Sequence, residues 1–212
     1  SSRRRHTRYI SVTGVQTCAL PIFWFRYEDP APCFAAIAAA PRERVQALFA
    51  ELYAQPIDER LITQRCIEMR AASAPVAIAA TPQAIGRFGD SAVAAGAELL
   101  LVQSQVSSAR HLATGYAPLE LGEFVKRTPI PVAVGNTANA AAAYALMEQG
   151  AAAVFVGVGP GNACTTREVL GIGVPQVTAV SDVAGARDAY LAASGRYVPV
   201  VADGGIRKGG EI

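Results

Sequence analysis

Five short apolar runs recur along the chain, and alanine-rich segments with helical spacing of their apolar residues alternate with them. We predict strands at these runs, namely Val76–Ala80, Leu99–Gln103, Pro131–Gly135, Ala153–Gly157 and Val198–Ala202. Strands this apolar are buried on both faces, which is typical of a parallel sheet covered by helices. The feature that most constrains the fold is therefore a repeated β-α unit.

Helices are predicted between these strands and before the first of them. The segments that follow the strands are Pro82–Ala95, Pro118–Arg127, Asn139–Gln149 and Asp182–Ser194. Asp29, Pro41 and Asp58 stand where three earlier amphipathic helices would begin, because acidic caps and prolines favour helix starts. Periodicity alone fits either a doubly wound sheet or a (β/α)8 barrel.

The position of the unusual residues favours the barrel. Gly135-Asn136, Gly157–Asn162 and Asp203–Gly205 all lie at the C-terminal ends of predicted strands. In a barrel the loops after the strands surround one mouth, which is where such folds place their sites. The first strand lacks the G-x-G-x-x-G turn of a dinucleotide-binding sheet. We therefore predict an α/β fold, a partial (β/α)8 TIM barrel preceded by amphipathic helices.

Charge and hydropathy exclude two classes of protein. No apolar run reaches about 18 residues without interruption, so no membrane span is predicted. The net charge of +2 comes from residues 1–22, which hold four arginines and no acid. That segment resembles translated adapter sequence, and we expect it to form a non-native or disordered tail. Residues 23–212 are then mildly acidic, so neither nucleic acid nor membrane is an expected partner.

The cysteines argue against zinc and disulfides. Cys18, Cys33, Cys66 and Cys164 are widely spaced, and the chain has two histidines. Zinc sites use clustered ligands, and disulfide frameworks belong to short cysteine-rich secreted chains. Free thiols in a reducing cytoplasm are therefore expected, with Cys33 and Cys66 as small buried apolar residues.

Cys164 differs from the others because it follows a glycine-rich loop. Gly157, Gly159 and Gly161 let backbone groups approach a ligand closely. Two threonines and Arg167 follow the thiol. Hydrogen-bond donors and positive charge lower a thiol's pKa, so Cys164 is a candidate nucleophile. The alternative is a structural cysteine in a tight loop.

A second motif surrounds Asp203. Its two carboxylate oxygens suit the hydroxyls of a ribose, and the backbone amides of Gly204 and Gly205 suit a phosphate. A simple Asp-Gly-Gly turn is the alternative interpretation. Together with the cysteine loop, the motif suggests a nucleoside monophosphate whose base faces a thiol.

These motifs resemble a known family. The strings GVGPGNACTTREVLGIGVPQVTA and VPVVADGGIRKGGEI, with PIPVAVGNTANAAAAYALMEQGAAAVFVGVG before them, are similar to the catalytic barrel of the IMP dehydrogenase/GMP reductase family. The similarity is strong over residues 129–212 and fainter but collinear over residues 25–125. There RYEDP and ELYAQPIDERLITQRCIEMR resemble the IMP-dehydrogenase-related subgroup that lacks CBS domains.

The resemblance implies a role for each matching residue. Cys164 matches the nucleophile that attacks C2 of the purine, and Thr166 matches a catalytic threonine beside the base. The substrate-binding positions are Asn136, Asn162, Asp203, Gly204 and Gly205. The cofactor-binding positions are Gln103, Ser104, Gly157 and Gly159. The backbone carbonyls implied to hold K+ belong to Gly159, Gly161 and Cys164.

The implied function is oxidation of IMP to XMP with NAD through a cysteine thioimidate, in purine (guanine) nucleotide biosynthesis. GMP reductase, which uses NADPH and releases ammonia, is one alternative. A non-catalytic purine-nucleotide-binding relative is another. The resemblance also implies a cytoplasmic homotetramer for the full-length protein.

The chain departs from the family pattern in places. Gln103 stands where dehydrogenases commonly carry an aspartate that contacts the cofactor, Phe155 replaces a basic residue, and Asn162 replaces a serine. We count strands three to seven of eight. The first two strands, the eighth and a flap with a water-activating arginine are expected outside residues 23–212. These 212 residues alone are therefore not expected to turn over substrate.

Overall fold

The computed structural model describes residues 23–112, 115, 117–161, 164–206 and 208. Its centre is a five-stranded sheet, and every pairing between neighbouring strands is parallel. The strands are β1 (Ala77–Ala80), β2 (Leu99–Gln103), β3 (Val132–Thr137), β4 (Ala153–Val156) and β5 (Val200–Ala202). All five predicted strands are thus present, with ends that differ from the prediction by two residues or fewer.

The strand order distinguishes between the two candidate architectures. Each described strand pairs with the next one along the chain, in the order β1-β2-β3-β4-β5. A doubly wound sheet reverses its order at a switch point, whereas a barrel adds strands in sequence. The prediction of a partial (β/α)8 barrel preceded by helices is confirmed.

Eight helices of the described residues surround this sheet or precede it. Before β1 lie α1 (Ala31–Ala39), α2 (Arg42–Ala54) and α3 (Glu59–Ala71). The later ones are α4 (Pro82–Ala94), α5 (Leu121–Arg127), α6 (Ala140–Glu148), α7 (Thr166–Leu170) and α8 (Gln176–Ser194). As predicted, Asp58 caps α3, since its side chain accepts a hydrogen bond from the backbone N–H of Arg60.

The main core lies between one face of the sheet and the helices. Alternate strand residues point into it, because side chains of a strand alternate between the two faces. The buried strand members of this core are Ile78, Leu100, Val102, Val132, Val134, Val154 and Val156. Leu101 and Gln103 therefore lie on the opposite face of β2, and Asp203 continues the opposite face of β5.

A buried arginine fastens the segment before α1 to helix α3. The Arg65 side chain is 7% exposed and forms an ion pair with Glu68, with Nη1 at 2.7 Å from Oε1. Its Nη2 also donates to the carbonyl of Glu28 at 2.6 Å. A buried charge with its donors satisfied in this way holds the segment before α1 against α3.

Three helices differ from the prediction. Helix α5 begins at Leu121, three residues after the predicted start at Pro118, with Glu120 as its N-cap residue. The last predicted helix, Asp182–Ser194, begins six residues earlier, at Gln176, because Pro175 precedes a first turn that the sequence pattern did not reveal. Helix α7 was not predicted at all, since a single short turn leaves no periodicity to detect. Within the described residues, no helix combines the length and apolar character needed to cross a membrane.

Candidate functional site

Three polar side chains meet where β2, β3 and β5 end. Asn136 Nδ2 donates to Asp203 Oδ2 at 2.6 Å. Gln103 Nε2 donates to Asn136 Oδ1 at 3.1 Å and to Asp203 Oδ2 at 3.3 Å. Because the carboxyl ends of parallel strands share one edge, residues far apart in sequence form this closed group, which we call the strand-end network. The structure thus brings together three of the predicted site residues.

Asp203 is the buried charge of the strand-end network. The residue is 5% exposed. Burial raises the pKa of its carboxyl group, and the hydrogen bond from Asn136 acts in the opposite direction. Its Oδ1 atom is buried and finds no donor among the described residues. Buried carboxylate oxygens are normally hydrogen-bonded, so Oδ1 is suited to accept a hydrogen bond from a ligand.

Two glycine-containing loops pack closely beside this network. Gly157 follows β4 with φ +149°, and a Cβ atom there would lie 2.4 Å from the backbone oxygen of Asp203. Gly205 has φ +76°, and its Cβ would lie 3.0 Å from Pro160 Cβ. Only glycine fits such contacts without displacing the neighbouring chain. The predicted phosphate-loop residues Gly204 and Gly205 therefore lie against the loop that leads to Cys164.

Gln176, the first residue of α8, supports both loops and was not among the predicted site residues. Its Nε2 donates at 2.7 Å to the carbonyl of Val156, which also accepts the backbone N–H of Asp203 at 2.7 Å. The Oε1 atom of Gln176 is buried without a partner in the described part of the chain. Gln176 thus ties the end of β4 to the helix behind it. The sequence signal would have been Pro175, since a proline often precedes the first turn of a helix and here places Gln176 at its start.

Cys164 lies on the surface just beyond the glycine loop. Its backbone N–H donates to the Gly161 carbonyl at 3.1 Å, and its thiol donates to Thr166 Oγ1 at 3.1 Å. The Thr166 hydroxyl and then its backbone N–H lower the pKa of the Cys164 thiol; burial opposes them, and the charge of Arg167 adds a weaker lowering effect. A thiol that is exposed and more acidic than usual can act as a nucleophile.

The other two described cysteines have the opposite character. Cys33 and Cys66 are free and buried. Burial is the largest cause of the raised pKa of both thiols. They behave as small apolar core residues, as the sequence predicted.

The loop after β2 is held against β3 by its serines. Ser104 Oγ donates to the Val106 carbonyl at 2.8 Å and lies 2.9 Å from Ser107 Oγ. The backbone N–H of Ser107, a buried residue that we did not predict, donates to the carbonyl of Asn136 at 2.7 Å. Ser104 therefore has a structural contact in place, and its assignment to a cofactor stays a prediction.

The implied K+ site would be built from backbone carbonyls. No three histidine, cysteine or acidic side chains of the described ranges group as metal ligands. A K+ ion held by carbonyls would need none of them, and the Gly161 carbonyl keeps one lone pair beside its bond to Cys164. The potassium positions Gly159, Gly161 and Cys164 therefore fit in donor type. Asn162 lies outside the described residues.

The predicted residues form two hydrogen-bonded groups. Across the described residues, the strand-end network and the Cys164–Thr166 pair share no hydrogen bond, and the glycine loops connect them. The arrangement presents an acidic thiol on one side and a buried hydrogen-bond acceptor on the other. It is suited to a ligand that carries both an electrophilic carbon and hydroxyl groups.

Comparisons with known proteins agree on one family. The family model described as the IMP dehydrogenase / GMP reductase domain matches residues 68–212. An uncharacterized oxidoreductase from Mycobacterium leprae is 40% identical over 182 residues, 83% of this chain and 48% of that protein. The inosine-5'-monophosphate dehydrogenase of Escherichia coli is 43% identical over 123 residues, 58% of this chain and 23% of that protein.

A solved structure shows the same similarity. The IMP dehydrogenase/GMP reductase-like protein from Corynebacterium glutamicum aligns with a TM-score of 0.78 and 34% sequence identity. The alignment covers 90% of this chain and 50% of that one. The chain thus spans half or less of the length of the relatives that it matches.

Proposed function

The chain belongs to the IMP dehydrogenase/GMP reductase family of oxidoreductases, and on this premise we propose that its site serves the oxidation of IMP to XMP. The supporting observation is the Cys164 thiol, whose pKa is lowered and whose loop packs on the Asp203 loop. A nucleophile and a sugar-binding acceptor are thereby carried on neighbouring loops.

The proposed chemistry begins with the thiolate of Cys164. Its sulfur adds to C2 of the hypoxanthine ring, and the C2 hydrogen then leaves with its electron pair as hydride. NAD+ supplies the hydride acceptor when it is bound. Water then adds to the resulting thioimidate, and cleavage of the C–S bond gives XMP and restores the thiol. The Thr166 hydroxyl stabilises the thiolate before attack, because a hydrogen bond to the charged form favours it.

The strand-end network is proposed to hold the substrate sugar. Asp203 Oδ1 accepts a ribose hydroxyl, while the amides of Gly204 and Gly205 bind the phosphate. Burial strengthens these hydrogen bonds because they form away from water. We also propose that Gly159, Gly161 and Cys164 supply carbonyl ligands to K+, and that Gln103, Ser104, Gly157 and Gly159 border the cofactor.

Two other functions are alternatives to IMP oxidation. GMP reductase would use the same thiol and nucleotide site, taking hydride from NADPH and releasing ammonia from C2. A non-catalytic nucleotide-binding relative is favoured by the departures at Gln103, Phe155 and Asn162. Two relatives are described only as uncharacterized oxidoreductases, a description that does not distinguish these functions. The same experiment tests all of them.

The test is covalent trapping with 6-chloropurine riboside 5'-monophosphate, followed by assays of turnover. We expect an adduct on Cys164 by peptide mass spectrometry, and no adduct in Cys164→Ala. The matched control Cys33→Ala changes a buried thiol and should keep the adduct. For the intact protein we expect NADH from IMP and NAD.

The alternatives predict different results in the same experiment. Oxidation of NADPH with GMP, and none of IMP with NAD, would identify a reductase. Nucleotide binding without an adduct or turnover would identify the non-catalytic relative. Failure of the intact protein to bind either nucleotide would refute all three functions.

A further inference from the structure

The orientation of the Asn136 side chain depends on its neighbours. A carboxamide has an oxygen and an NH2 group of nearly equal size, so hydrogen-bond partners decide which one points where. The backbone of Asn136 is already fixed, since its N–H donates to the Ser104 carbonyl at 2.9 Å and its carbonyl accepts from Ser107. The side chain is fixed separately, by Gln103 and Asp203.

Gln103 reinforces the orientation that Asp203 favours, because the carboxylate only accepts hydrogen bonds and Gln103 therefore turns its nitrogen toward both Asp203 and Asn136. Nε2 of Gln103 can only donate, so the Asn136 oxygen must face it. The Asn136 nitrogen then faces Asp203 Oδ2 at 2.6 Å. The second hydrogen of Gln103 Nε2 points to the same carboxylate oxygen at 3.3 Å. Two donors on Oδ2 fix the plane of the carboxylate and leave Oδ1 without a partner among the described residues.

We propose that Gln103 is a positioning residue of the substrate site: it orients Asn136 and Asp203 so that Asp203 Oδ1 remains the acceptor for a ribose hydroxyl. The proposal rests on the function proposed above for the identity of the ligand. It gives Gln103 a role in sugar recognition in addition to its predicted place beside the cofactor. An acidic side chain at position 103 could not play this role, since it would accept from Asn136 and repel Asp203.

The test compares Gln103→Leu and Gln103→Glu with the original protein. The first variant removes the donor, and the second replaces it with an acceptor. Gln105→Glu is the matched control, because Gln105 is exposed and lies two residues further on, in the loop after β2. It adds the same negative charge without removing any hydrogen bond of the network.

The first readout needs no ligand. NMR of the Asn136 side-chain amide should show hydrogens that exchange slowly with water in the original protein and in Gln105→Glu. In Gln103→Leu and Gln103→Glu we expect exchange at least about tenfold faster, because the bond to Asp203 is no longer enforced. Unchanged exchange in both variants would overturn the proposal whatever the protein binds.

The second readout is the ratio of Kd values for 2',3'-dideoxy-IMP and IMP. We expect the original protein and Gln105→Glu to prefer IMP by about tenfold or more, the usual effect of one hydrogen bond to a charged group. Gln103→Leu and Gln103→Glu should lose most of that preference while phosphate binding is kept. An undiminished preference in the variants would overturn the positioning role of Gln103 and leave the proposed function intact. Absence of IMP binding to the original protein would refute the proposed function, and the NMR result would then decide on Gln103.

Discussion

Brief treatment of the folded chain with iodoacetamide at neutral pH is expected to alkylate Cys164 at least about tenfold faster than Cys33 or Cys66. The pKa of the Cys164 thiol is lowered, whereas burial raises that of the other two. One unit of pKa changes the thiolate fraction about tenfold at a pH below both values. Mass spectrometry of the three peptides gives the rates, and equal rates would contradict the assigned environments.

The contribution of Thr166 can be separated within the same experiment. Thr166→Val removes the hydroxyl that is the largest cause of the lowered pKa of Cys164. Since the folded pKa should rise, the pH at which alkylation reaches half its maximal rate should move upward. Thr165→Val is the matched control, because the Thr165 side chain makes no capping hydrogen bond to α7. An equal shift in both variants would show that the loop conformation, and not the hydroxyl, controls the thiol.

The sequence predicted the secondary structure well but could not choose the architecture by periodicity. The reason is that buried parallel strands have the same apolar pattern in a doubly wound sheet and in a barrel. What differs is strand order, which depends on contacts between distant segments such as β4 and β5. The barrel was predicted correctly from the glycine and polar residues at the ends of the strands, because in a barrel the loops after the strands lie together at one mouth.

The sequence indicated several residues of the candidate site but not the hydrogen bonds that join them. Asn136 and Asp203 were recognised because polar residues directly after apolar strands are conspicuous. Their contact with Gln103 depends on strand register, which a one-dimensional pattern does not contain. Gln176 and Ser107 were missed because each resembles an ordinary loop or helix-start residue, and their importance comes from carbonyls on other strands.

Gly157→Ala is expected to destabilise the fold by about 2–4 kcal/mol, from backbone strain and overpacking together. The φ of +149° is one that residues with a side chain rarely adopt. The added Cβ would stand 2.4 Å from the Asp203 carbonyl oxygen, and a backbone atom cannot rotate away as a side chain can. In a domain of this size, the melting temperature should fall by roughly 5–15 °C.

Gly185→Ala is the matched control, since Gly185 lies inside α8 and the added Cβ would meet no atom within 4 Å apart from its chain neighbours and the backbone of its own helix. It should leave the melting temperature unchanged or raise stability by up to about 1 kcal/mol, because alanine favours a helix. The two substitutions add the same methyl group, so their difference isolates the contact between the loops after β4 and β5. If Gly157→Ala melts at the same temperature as the original chain, the two loops do not approach as closely as described. The packing of the cysteine loop against Asp203 would then be contradicted as well. If it melts lower and also binds IMP more weakly, the same contact both stabilises the barrel and places the acceptor of the site.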